Sequence, residues 1–124
     1  MPLHFLDFDY SEDADGHGSF DAMASADARQ LARLQGELAQ VLDWAHREFP
    51  GGPAPLEEGG DWDYQLQGVQ ETPTSLHVGY DPRTRGIELR PGAAGPPRVT
   101  LSLTLSGSAA FCDALRAAFG LDAR

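Results

Sequence analysis

Val99-Thr100-Leu101-Ser102-Leu103-Thr104-Leu105 alternates apolar and hydroxylated side chains without a break. That period of two puts one face of a strand on a core and the other in water. Three upstream stretches share the pattern. Trp62, Tyr64 and Leu66 alternate with Asp63, Gln65 and Gln67; Leu76, Val78 and Tyr80 with His77 and Gly79; Ile87 and Leu89 with Glu88 and Arg90. Short turns join them around Glu71-Thr72-Pro73-Thr74 and at Asp81-Pro82-Arg83-Thr84-Arg85-Gly86, where proline holds a favoured turn position. A looser link, residues 91–97, precedes the last strand. Strands connected this closely are expected to form an antiparallel meander.

Two helices flank this block. Over residues 27–48, Leu31, Leu34, Leu38, Val41, Leu42 and Ala45, with Phe49 just beyond, follow the three-and-four spacing of one helical face. Asp27 and Gln30 suit a capping box, and Pro50-Gly51-Gly52-Pro53 ends the run. Residues 108–119 form the second helix, with Phe111, Leu115, Ala118 and Phe119 as its stripe, Ser106 or Ser108 as cap and Gly120 as left-handed terminator. Residues 3–10, dense in aromatics, read as a first strand, and residues 11–24 as an acidic loop broken by Gly16 and Gly18. The expected fold is α+β: one domain over residues 1–124, in chain order β-α-β-β-β-β-α. Two layers are expected, a mostly antiparallel sheet of about five strands with both helices on one face.

Nineteen acids against nine bases give the 124-residue chain a net charge of -10, and every base is Arg. The absence of Lys and Asn and the single Ile87 suggest a GC-rich bacterial genome. Without Lys there is no Schiff base and no P-loop lysine. Seven acids precede the first base, Arg29, and seven more lie between Arg47 and Arg83 with no base among them. This speaks against nucleic acid and against anionic membrane, both of which need a basic surface. No apolar run approaches a membrane span. Met1-Pro2-Leu3-His4 lacks the basic start of a secretion signal, so a cytoplasmic location is expected.

The acidic N-terminal segment invites a chemical interpretation. Leu6-Asp7-Phe8-Asp9-Tyr10-Ser11 resembles the strand-end Asp-x-Asp-x-Ser/Thr signature of haloacid-dehalogenase-type phosphatases, which implies an aspartate nucleophile, an aspartate acid/base and magnesium. The resemblance covers about five positions. It stops there, because that family uses a parallel sheet and a later basic residue, usually Lys. Ser11 to Ala22 resembles an EF-hand loop only in Asp13, Asp15 and Gly16; Ser11 and Ala22 occupy the places of essential ligands. A looser divalent-metal site remains, drawn from Asp7, Asp9, Asp13, Asp15 and His17, with Asp21 nearby. Asp7 and Asp9 would share one strand face. His4, His17, His46 and His77 form no His-x-x-x-His or His-Glu-x-x-His pair.

Cys112 lies on the apolar face of the second helix and is expected to be buried and inert. One cysteine excludes an internal disulfide. Trp62 and Tyr64 read as core. Trp44, off the centre of the helical stripe, reads as a surface residue available to a partner. The hydroxyl face of Thr100, Ser102 and Thr104 would be wet, or covered by a second copy in a homodimer. The function expected is a non-enzymatic module that binds another protein, one with a basic surface. Its contact residues would be Asp13, Asp15, Asp21, Trp44, Glu57 and Glu58. A metal-binding protein or small metal-dependent hydrolase built on the N-terminal acids is the alternative.

Overall fold

The computed structural model describes residues 3–121; the chain start read for a secretion signal lies partly outside them. Among the described residues the fold is α+β with two helices and six strands. In chain order these are β1 (Asp9–Glu12), β2 (Gly18–Ala26), α1 (Leu31–Glu48), a single 3-10 turn (Leu56–Glu58), β3 (Trp62–Glu71), β4 (Thr74–Asp81), β5 (Gly86–Ala94), β6 (Arg98–Gly107) and α2 (Ala109–Phe119). Four strands form one antiparallel sheet in the order β1-β2-β6-β3, and β4 and β5 form a separate two-stranded ribbon.

The alternation of β6 decides the core. Leu103 and Leu105 are fully buried, flanked on β2 by Ala22 and Phe20 and on β3 by Leu66 and Tyr64. Under this face pack Leu34, Leu38, Val41, Trp44 and Ala45 of α1 and Phe111, Cys112, Leu115 and Phe119 of α2. Each fully buried Leu or Phe stabilises the fold by roughly 1.5–3 kcal/mol relative to exposure. The opposite face carries Asp21, Met23 and Ser25 of β2 beside Thr104, Ser102 and Thr100 of β6. Its hydroxyls pair across strands: Ser25 with Thr100 at 2.6 Å, Ser19 with Ser106 at 3.2 Å, and Thr104 donating to Asp21 at 2.6 Å.

Both helix ends follow local chemistry. Asp27 Oδ1 accepts from the amides of Arg29 and Gln30, both at 3.0 Å, and its own amide meets Gln30 Oε1 at 3.5 Å. This reciprocal box closes a tight turn, and the α-helix proper begins at Leu31. Ser108 Oγ accepts from Phe111 N at 3.3 Å, and Gly120 ends α2 at φ 64°.

Four expectations are corrected. Residues 3–8 are not a strand. The Glu37 carboxylate, buried on α1, accepts the amides of His4 (2.8 Å), Phe5 (2.9 Å) and Leu6 (2.7 Å), so these donors go to a helix side chain and not to a ladder. Residues 11–24 are not a loop but most of the β1–β2 hairpin, and β2 lies beside β6 in the main sheet. Trp44 is 6% exposed, with its ring against Phe49, Phe111 and Phe119. It stands three residues after Val41 and so falls on the same helical face. Finally, β4 and β5 leave the sheet that the helices cover, and their apolar residues stay in solvent.

Candidate functional site

The two-stranded ribbon grows out of the main sheet. β3 and β6 pair from Trp62↔Gly107 to Glu71↔Arg98, and β4 and β5 resume at Thr74↔Ala94. Gly95 N donates to Pro73 O at 2.7 Å between them, so one backbone ladder runs from the core into the arm. Pro73, Pro96 and Pro97 have no amide to donate, which separates the two sheets at this point. A register shift between Thr74 and Leu76 adds a further break. The tip is held by Asp81 Oδ1, which accepts from Arg83 N at 2.9 Å, with Arg85 left-handed at φ 58°.

Period two sorts the arm into two faces. Leu76↔Pro91, Val78↔Leu89 and Tyr80↔Ile87 are cross-strand partners and lie on one face; His77↔Arg90 and Gly79↔Glu88 lie on the other. No residue of the arm is buried. Leu76, Val78, Tyr80, Ile87 and Leu89 are 54–65% exposed. Five large apolar side chains on one face form a contiguous patch of the kind that marks interaction sites. Sequence periodicity detected both strands but assumed a covering layer. The prolines at 73, 91, 96 and 97 were the available signal that this segment leaves the central sheet.

The acidic hairpin is built differently. Asp13 turns the chain: its Oδ1 accepts from Asp15 N and His17 N, both at 2.9 Å, and Oδ2 lies 3.6 Å from His17 Nδ1. Asp9 stands directly across from Asp21. Facing like charges are unfavourable, and Thr104 relieves Asp21 by donating to it. A hollow of about 220 Å³ is lined by Glu12, Asp13 and His17 together with Leu56 and Ser106, so the hairpin adjoins the turn that carries exposed Glu57 and Glu58. Asp7 and Asp15 are exposed. Asp7 precedes β1, so the face it was expected to share with Asp9 does not exist. Among the described residues no three His, Cys, Asp or Glu side chains come together in an arrangement that could hold a metal ion.

Behind the hairpin, the Arg116 guanidinium lies 4.0 Å from the centroid of the Tyr10 ring and 3.1 Å from Asp113. Tyr10 donates to Glu12 at 2.9 Å. Desolvation, then this hydrogen bond, raises the Tyr10 phenol, while Tyr10 in turn raises Arg116. Burial pushes the Cys112 thiol up, which makes it a poor nucleophile near neutral pH. A Cβ on Gly18 would fall 2.6 Å from Tyr10 Cε1 and 2.7 Å from Cys112 Sγ, so a larger residue there would have to displace one of them. Among the described residues no helix is long and apolar enough to cross a membrane. Compared with protein-family models, curated proteins and solved structures, the chain matches none.

Proposed function

We propose that the protein is a non-catalytic binding module that engages another protein through the β4–β5 arm. One observation carries the proposal: a continuous apolar face, five large side chains wide, on a ribbon with no buried residue. A two-stranded ribbon is at best marginally stable alone in water. Covering this face would stabilise the arm and remove its apolar surface from solvent. The acidic body, including Asp13, Asp15, Asp21, Glu57 and Glu58, sets the sign of the surfaces it approaches and favours basic ones. Trp44 has no part in this, because it is core. A bacterial cytoplasm suits a chain whose single thiol is free and buried.

The test compares immobilised wild-type chain with the double variant Val78→Lys, Leu89→Lys in capture and cross-linking. Both positions are exposed, so the fold should be retained. Partners held by the wild type should be lost from the variant. Equal capture by the two would rule the arm out as the contact element.

A further inference from the structure

The geometry points to a second copy of this chain as the arm's partner: two copies exchange arms, each laying its apolar face on the other's body. This rests on the arm being the binding element. The first support is charge. Residues 74–94 hold three Arg (Arg83, Arg85, Arg90) against two acids (Asp81, Glu88), a net of +1. The rest of the chain holds six Arg against seventeen acids, a net of -11. A second copy therefore offers the arm a surface of opposite sign.

The second support is an acceptor on the body. Leu38, Ala39 and Leu42 of α1 and Leu66, Gly68 and Leu101 of the sheet line an open hollow of about 460 Å³. Leu66 is 46% exposed there. A chain's own arm is tied to the sheet where Gly95 N donates to Pro73 O at 2.7 Å, so reversing onto its own body would break that bond. An arm of eight-residue strands reaches roughly 27 Å, about the width of a domain with a radius of gyration near 13 Å. That is far enough to cross a neighbouring body.

The third support is area. Covering five side chains that are 54–65% exposed removes on the order of 500 Å² per arm, judged from the usual size of apolar and aromatic side chains. The neighbour's surface beneath the arm loses a comparable area, because the two sides of a contact bury about equally. Two reciprocal arms then bury on the order of 2,000 Å², within the size of a stable interface, whereas a single arm contact gives about half. A two-fold exchange closes and leaves no arm free to propagate.

Analytical ultracentrifugation of the full chain tests this at roughly 1–100 µM, the range in which an interface of this size should be populated. Three samples suffice: wild type, the arm variant Val78→Lys/Leu89→Lys, and the acceptor variant Leu66→Lys. Circular dichroism confirms that each is folded. The wild type should dimerise, and each variant should weaken the dimer by roughly tenfold or more. An equimolar mixture of the two variants should regain part of the association, since one intact arm meets one intact hollow. A wild type that stays monomeric at roughly 100 µM overturns the exchange. So does a dimer indifferent to Leu66→Lys or to the arm substitutions. A monomer whose arm still captures a different protein, lost with Val78→Lys/Leu89→Lys, overturns the second copy while the binding role of the arm stands.

Discussion

Leu105 and Leu89 lie on consecutive strands, β6 and β5, and both sit at apolar positions of a period-two pattern. Leu105 lies on β6 between Phe20 and Tyr64, under the helices, with no exposed surface. Leu89 lies on β5 across from Val78 and is 60% exposed. The alternation is the same. What differs is the neighbourhood: β6 has a strand on either side and two helices beneath, whereas β5 has one partner strand and no layer. Alternation tells which residues share a face. Whether that face is covered depends on what the rest of the chain brings to it.

The largest effect that sharpens this contrast is Leu105→Ala. It should destabilise the chain by about 2–5 kcal/mol, read from urea or thermal unfolding, because it opens a cavity in the core. Glu37→Ala comes next, at about 2–3 kcal/mol. It removes a buried acceptor from three amides, and hydrogen exchange at His4, Phe5 and Leu6 should rise sharply. Ser108→Ala should cost about 1 kcal/mol by uncapping α2.

A pH effect also belongs to the body. The Cys112 and Tyr10 groups are raised in the folded chain, so the unfolded chain releases these protons first. Their contribution is intact below the ordinary thiol range, about pH 8.5, and is lost as pH rises through the folded values. The urea midpoint should fall as pH rises above about 8.5, and Cys112→Ala should flatten part of that fall. The smallest effect is Leu89→Ala, measured at dilute chain. It should change unfolding by less than about 0.5 kcal/mol. A loss close to that of Leu105→Ala would mean the arm packs on its own body and would erase the contrast.

Much of the architecture was legible in one dimension. The apolar stripe of α1 at Leu34, Leu38, Val41 and Ala45, the cap at Ser108, the terminator at Gly120 and the inward face of β6 all lie where spacing and local chemistry put them. These features depend on neighbours within about four residues, or on a strand's own pleat. The candidate site was far less legible. The acidic hairpin was visible as charge but not as β-structure, since Gly18-Ser19-Phe20-Asp21-Ala22 becomes a strand only through its pairing with β6. The places of Trp44 and Glu37 cannot be read from local spacing, because their roles depend on partners across the fold. Trp44 meets α2, and Glu37 meets residues 4–6.

The sequence alone therefore determined the α+β class, the two amphipathic helices, the alternating strands and an acidic surface without a basic stripe. Each follows from local periodicity, turn chemistry or charge, which the chain carries wherever it folds. Tertiary structure alone decided that residues 3–8 hang on Glu37, that β2 completes the sheet, that Trp44 is core, and that β4 and β5 stand clear of it. Those outcomes depend on contacts between distant residues and on how much surface two helices can cover. The two helices cover the middle of the main sheet, where Phe20, Leu103 and Leu105 are buried, and β4 and β5 run on beyond that cover.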